Sequence, residues 1–342
     1  MRPLRILIAT GIYPPDLGGP AMYAKSIENE FRKMGNTVSV VYFKLEKKLP
    51  TGLRHLLYFF RILKPVWQSD FVIALDTFSV AIPAVLCVKL FRKKIIIRTG
   101  GDFLWESYVE RTGDLVLLSR FYDTRMSSFN LKDRIVFRLI KFVLKSVDAL
   151  VFSTVWQRDI FTPAYGLDSK KNFIIENFYG ERVAVEDQKT DGKKIFIATT
   201  RPIKFKNIEN LKKGFELASR FDKNIVLDIE PVKHGDFLKK ITNSYAVILV
   251  SIGDISPNMI LDAISVGTPF ILTRENGIFE RVKDIGIFVD PLSPNDIRDK
   301  ILYLLRPEVY SEFKTKVKNF NFRHSWSNIC FEFLSVYKKI NK

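Results

Sequence analysis

The feature that most restricts this chain is a rhythm: short apolar runs of strand length alternate with amphipathic stretches of helical period, twice along the sequence. Residues 4–9, 38–43, 71–75, 95–98 and 149–153 are near-continuous runs of Ile, Val, Leu, Phe and Ala, as expected of strands buried on both faces. Residues 21–34 and 79–91 read as helices between them. Strands separated by helices predict a parallel sheet with helices on both faces, an αβα layer structure.

The rhythm breaks at residues 185–194, where Glu186 to Gly192 contain no apolar side chain. This is the expected linker. Beyond it the alternation resumes with strands at 195–198, 225–229, 247–250, 270–272 and 286–289. A chain of 342 residues also exceeds the roughly 100 to 200 residues usual for one domain. The expected division is an N-terminal domain over 1–185 and a C-terminal domain over 194–324. A final helix, 325–342, has Trp326, Ile329, Phe333, Val336 and Tyr337 three or four apart and needs a surface to cover.

The 54 basic and 37 acidic side chains leave a net charge of +17, which calls for an anionic partner. No nucleic-acid motif accompanies that charge, so nucleic acid is not the expected partner. Cys87 and Cys330 lie far apart in apolar surroundings, and two buried thiols of a reducing compartment fit better than a disulfide. No leader pattern or membrane-length apolar run is evident, so a cytoplasmic location is expected. His55, His234 and His324 have no metal-ligand spacing, and no metal or cofactor is expected.

The richest segment runs from Ser251 to Pro269. A strand ends near Val250, a loop carries Asp254, and Ser256 followed by Pro257 predicts a helix N-terminus; Gly267 predicts its end. Free N–H groups at Ile255, Ser256, Asn258 and Met259, with the helix dipole beginning near Pro257, favour a phosphate. Asp254 before the helix and Asp262 inside it would accept hydrogen bonds from hydroxyls on either side of that phosphate. Ribose, pyrophosphate and sugar, the parts of a nucleotide sugar, have this layout. The plainer alternative makes both acids solvated surface residues.

Three further clusters follow strands, at the rim where open α/β sheets bind ligands. Arg201 and Lys206 come after the strand at 195–198 and could neutralise a pyrophosphate, or be an ordinary basic loop. The segment from Tyr13 to Pro20 includes Gly18 and Gly19, which would let a ligand approach the backbone, or make a tight connection. After the strand at 95–98, Asp102 or Glu106 could orient or deprotonate an acceptor hydroxyl beside Trp105.

Taken together these residues resemble the retaining glycosyltransferases of the GT-B fold, glycosyltransferase family 4, over nearly the whole chain. Tyr13-Pro-Pro-Asp-Leu-Gly-Gly-Pro matches the family's glycine loop. Arg201 and Lys206-Asn207 match its Arg followed by Lys and Gly or Asn. Asp254 to Asp262 matches its pair of acids with seven residues between them, and Gly267-Thr-Pro269, Asn276-Gly277 and the closing helix also fit.

The resemblance implies two Rossmann-like domains facing each other across a cleft, the last helix returning to the first domain. It implies transfer of a sugar from a nucleotide diphosphate donor with retention of configuration. Arg201 and Lys206 would hold the pyrophosphate, Asp254 the sugar, Asp262 the ribose and Gly18 or Gly19 the phosphate, with Tyr13, Asp102, Trp105 and Glu106 on the acceptor side. The family's acidic pair is Glu; here both are Asp. Its histidine near the acceptor loop is absent, the matching strand end reading Thr99-Gly100-Gly101-Asp102. A non-catalytic nucleotide-sugar-binding subunit or a sugar-nucleotide epimerase of the same fold are the alternatives.

The stretches 52–67 and 134–145 mix Arg and Lys with Leu, Phe and Ile. They read either as core helices with solvated cations or as amphipathic helices at an anionic membrane. The second reading implies a peripheral protein with a lipid-linked or polyprenyl-linked sugar, or a glycan, as acceptor, as in envelope polysaccharide synthesis.

Overall fold

The computed structural model describes residues 2–16, 18–183, 192–199, 202–230 and 234–342. In chain order the elements are β1 (Arg5–Thr10), α1 (Gly19–Lys33), β2 (Thr37–Tyr42), α2 (Thr51–Gln68), β3 (Phe71–Ala74), α3 (Ala81–Phe91), β4 (Lys94–Thr99), α4 (Phe103–Thr112), α5 (Leu118–Arg125), α6 (Leu131–Ser146), β5 (Ala149–Phe152), α7 (Val155–Tyr165) and β6 (Asn172–Ile174). There follow β7 (Lys194–Ile197), α8 (Ile208–Ser219), β8 (Ile225–Asp228), α9 (His234–Thr242), β9 (Ala246–Leu249), α10 (Asn258–Val266), β10 (Phe270–Thr273), α11 (Phe279–Val282), β11 (Ile287–Val289), α12 (Pro294–Leu304), α13 (Pro307–Asn319) and α14 (Trp326–Ile340).

Two compact units result: one of Met1–Trp105, Arg125–Phe178 and His324–Lys342, the other of Glu106–Thr124 and Tyr179–Arg323. The first holds a six-stranded parallel sheet in the order β2-β1-β3-β4-β5-β6. Ile6, Ile8, Phe71, Ile73 and Val151 from its strands meet α1 and α14 in one core. Helix α14 begins with a capping box between Ser325 and Asn328. Trp326 packs edge-on to Tyr23 at 5.3 Å, and Ile329, Cys330 and Phe333 are fully buried. Each such side chain contributes about 1.5–3 kcal/mol of burial. The apolar face read from the sequence is therefore covered by the first unit's own helix α1.

The second unit holds a five-stranded parallel sheet, β11-β10-β9-β7-β8. One face is packed by α8 and α12 around Leu211, Phe215, Ile297 and Ile301, the other by α10 with Ile260 and Ile264. A Cβ on Gly214 of α8 would stand 2.6 Å from Ile297 Cγ2, so glycine sets how closely α8 and α12 approach.

The residues 106–124 correct the sequence division, which put them in the first domain. Leu118 N–H donates to Ile252 O at 3.1 Å, and Ser119 Oγ to Glu275 at 3.0 Å. Composition carries no sign of such long-range pairing. The expected linker at 185–194 lies mostly outside the described residues.

Candidate functional site

In the second sheet the strand order reverses between β7 and β9, and the loops leaving those two strands diverge there. Such a switch point, at the carboxyl ends of parallel strands, is where open α/β sheets bind ligands. Lys206 follows β7 and Asp254 follows β9. Their side chains meet, Lys206 Nζ lying 2.6 Å from Asp254 Oδ2, with only 17% and 12% of the side chains exposed.

The local sequence fixes both partners. Residues Lys204–Lys206 form a 3₁₀ turn that ends at Asn207, whose backbone is left-handed at φ 59°. Asparagine tolerates that region because its short side chain finds backbone partners. Here its Nδ2 donates to Val250 O at 3.0 Å and Pro291 O at 2.7 Å, tying the β7 loop to the ends of β9 and β11. Ile252 N–H donates to Phe205 O at 3.0 Å, which holds the two loops side by side.

Asp254 is held through its backbone. Its N–H donates to Glu275 O at 2.9 Å and its carbonyl accepts from Gly277 N–H at 3.0 Å. Asn276 in turn donates from Nδ2 to Thr273 O at 2.6 Å and accepts from Ile278 N–H at 3.0 Å. The buried Ser251 directs its hydroxyl toward Asp254 Oδ2 at 3.5 Å. Asn276-Gly277 thus brace the loop that presents Asp254. Glu275 and Ser119 brace it from behind, and no local sequence signal marks that pair.

Helix α10 opens four residues after Asp254. The sequence makes Ser256 its cap and Pro257 its first residue; instead Pro257 occupies the cap position and no side chain caps the first turn. The reason is that Pro257 has an extended ψ of 98°, which sets the helix start at Asn258. Ser256 Oγ is left buried without a hydrogen-bond partner. Uncapped N–H groups and an orphaned hydroxyl, in the segment just after the carboxylate that holds Lys206, are donors an anion can accept from.

The other expected donor residues divide by exposure. Asn258 is exposed, while Ile255, Pro257 and Met259 have buried side chains and can offer only backbone groups. Asp262 is half-buried, although its neighbours Leu261 and Ala263 are buried. Arg201 falls outside the described residues.

In the first unit, Gly18 precedes α1 with φ 133°, a backbone region open to glycine, and Gly19 begins the helix; both are exposed. Tyr13 hydrogen-bonds through its hydroxyl to Glu28 and stacks on Tyr42, with ring centroids 5.0 Å apart. Burial, followed by the Glu28 contact, raises its pKa above the usual phenol value.

Two acceptor-side expectations change. Asp102 is buried, and its Oδ1 accepts from Leu104 and Trp105 N–H, both at 3.1 Å, capping α4. Trp105 is 2% exposed, a core residue rather than a surface for an acceptor, because the cap turns it inward. Glu106 is half-buried. Just before them, Arg98 is buried, bonded to Ser153 Oγ at 3.0 Å and to Asn177, with its guanidinium 3.9 Å from the centre of the Tyr23 ring. These residues hold the end of β4 in place.

Among the described residues no group of three or more His, Cys, Asp or Glu could hold a metal ion. Both cysteines are free and buried, and burial pushes the Cys87 thiol up to about 12.

Comparison with known proteins adds the fold. No protein-family model matches the chain. An uncharacterized glycosyltransferase of Methanocaldococcus jannaschii is 31% identical over 113 residues, 31% of this chain and 28% of that protein. Among solved structures, a sucrose-phosphate synthase of Thermosynechococcus elongatus aligns over 99% of both chains with TM-score 0.72 and 11% identity. Anabaena HepE in complex with UDP and glucose aligns over 98% of this chain and 99% of its own, with TM-score 0.69 and 11% identity. The lipopolysaccharide outer core galactosyltransferase WaaB aligns with TM-score 0.60 and 12% identity over 98% of this chain and 99% of its own. The chain has the α/β fold of these GT-B glycosyltransferase structures, with two parallel-sheet domains.

Proposed function

We propose that this chain is a glycosyltransferase that moves a sugar from a nucleotide diphosphate sugar to a glycan or lipid-linked acceptor with retention of configuration. The observation that carries the reading is the Lys206–Asp254 pair beside the uncapped start of α10, at the switch point of the second sheet. A cation, an unpartnered hydroxyl and free N–H groups suit a diphosphate, while the carboxylate beside them suits a sugar hydroxyl.

In this reading Arg201 and Lys206 hold the pyrophosphate, Asp254 orients the donor sugar and Asp262 the ribose. As the glycosidic bond breaks, negative charge grows on the leaving diphosphate, and Lys206 with the α10 dipole stabilises it in place. The donor's own phosphate oxygen takes the acceptor proton, so no side chain need serve as base. Membership of glycosyltransferase family 4, a hexosyl donor, independence of metal ions, and work on envelope polysaccharides at the inner face of a membrane belong to the same proposal.

Purified protein incubated with UDP-, GDP-, dTDP- and ADP-sugars and an acceptor panel tests it. Transfer that survives EDTA and fails in Lys206→Ala and Asp254→Ala is the expected result. Full activity in both variants sinks the site assignment. Nucleotide binding without turnover supports a binding subunit instead, and a changed sugar without acceptor supports an epimerase.

A further inference from the structure

Helix α2 is apolar on two faces, and only one of them is covered. Tyr58, Ile62 and Val66 recur every fourth residue and are fully buried. Away from them Leu53, Leu56, Leu57, Phe60 and Trp67 recur at three, four and seven residues and stand open to solvent, Phe60 and Trp67 each 61% exposed. A surface helix has no need of a second apolar stripe unless something covers it.

The stripe does not end with α2. Helix α3 packs against α2 and turns Leu86 and Leu90 outward, the latter 63% exposed. Helix α6 packs against α3 and exposes Leu131, Ile135, Leu139 and Phe142, again three or four residues apart. Lys89 joins α3 to α6, its ammonium 5.0 Å from the centre of the Phe142 ring and 3.1 Å from Ser146 Oγ.

Charge on this layer has one sign. Helices α2 and α3 contain no acidic residue, and the single acid of α6, Asp133, is buried in its own capping box. Lys64 accompanies the α2 stripe, Lys89 the α3 one, and Lys132, Arg134 and Arg138 the α6 one. At the end of α3 an open depression is lined by Lys89, Arg92, Lys93, Lys94 and Ser146, with Asp148 paired to Lys94 at 2.9 Å.

We propose that the α2–α3–α6 face docks on an anionic lipid bilayer, with Phe60, Trp67, Leu90 and Phe142 entering the interface and the cations meeting headgroup phosphates. The depression beside Arg92 receives one such phosphate. Apolar stripes flanked by cations, with aromatic side chains among them, are the composition that binds in the plane of an anionic interface. This reading rests on the proposed activity only in assigning the lipid as the place where a lipid-linked acceptor resides.

Co-sedimentation of the full chain with phosphatidylcholine vesicles, with and without phosphatidylglycerol, tests it. Binding should require phosphatidylglycerol and weaken with salt. The double variant Phe60→Ser, Trp67→Ser should lose more than about tenfold in partitioning, and each of Arg92→Glu, Arg134→Glu and Arg138→Glu about fivefold or more. These side chains are exposed, so thermal unfolding of the variants should match the parent.

Equal binding to pure phosphatidylcholine, or variants that sediment like the parent, overturns the proposal. So does a concentration-dependent dimer that Phe60→Ser, Trp67→Ser abolishes, which gives the face to a second copy. Nucleotide-sugar binding measured on the same samples separates the two readings: a parent protein that binds donor but not anionic vesicles refutes this one alone.

Discussion

Lys206 and Asp254 are each other's counter-ion, 2.6 Å apart and mostly shielded from water. A diphosphate must therefore draw Lys206 away from a carboxylate already in place. After desolvation is subtracted, the pair is worth about 1–2 kcal/mol. Asp254→Asn removes the competitor and keeps the shape of the side chain. At 1.4 kcal/mol per tenfold, nucleoside diphosphate affinity should rise by about 5- to 30-fold.

The same variant should lose the extra affinity that the sugar gives the full donor. Lys206→Ala should weaken diphosphate binding at least about tenfold, because it removes a charge-assisted contact and leaves Asp254 facing the phosphates. It should also cost about 1–3 kcal/mol of folding stability, the penalty of an unpaired and largely buried carboxylate. Isothermal titration with the diphosphate and with its sugar, on both variants and the double variant, measures every term. Asp254→Asn binding the diphosphate no more tightly than the parent would refute the competition.

Other positions give sharper tests of the scaffold. Asn207→Ala loses both side-chain hydrogen bonds and forces alanine into φ 59°, for about 2–4 kcal/mol by urea unfolding, and Asn207→Gly should recover about 1 kcal/mol of it. Gly214→Ala places a Cβ 2.6 Å from Ile297 Cγ2 and 2.9 Å from the Pro294 carbonyl and should cost about 2–3 kcal/mol by urea unfolding; Ile297→Ala, which keeps its own Cβ 2.7 Å away, should not restore it.

Burial pulls the His324 pKa down, but Glu332 Oε2 at 3.4 Å and the Asn177 carbonyl at 3.1 Å outweigh it, and the net shift is upward. A group whose folded pKa is raised stabilises fully below its unfolded value of 6.5 and loses that contribution as pH climbs through the folded value. Melting temperature should therefore fall as pH rises above about 6.5, and His324→Gln should flatten that part of the profile.

Every strand read from the sequence is present to within a residue or so at its ends, because strands buried on both faces must be apolar throughout. The exception is β6, whose Asn172-Phe173-Ile174 is too short and too mixed to stand out at a sheet edge. Lys206 and Asp254 were legible from their places after strands. What the sequence withheld is pairing over distance. Nothing local says that Lys206 meets Asp254, that Glu275 braces against Ser119, or that residues 106–124 belong with the second unit. Asp102 shows the same limit: an acid immediately before a helix serves equally as a cap or as a base, and its burial beneath the Leu104 and Trp105 N–H groups is not written in the local sequence. The exposed stripe of α2 was visible as composition, but which apolar face is covered depends on the neighbouring helices.

The central claim is that a nucleotide sugar sits between Lys206, Asp254 and the start of α10. Structure determination of the protein with the nucleotide sugar that supports transfer tests it most directly. Diphosphate oxygens should lie within hydrogen-bond distance of Lys206 Nζ and the first-turn N–H groups of α10, with a donor-sugar hydroxyl on Asp254. A nucleotide bound elsewhere, with the Lys206–Asp254 pair still closed, would contradict it.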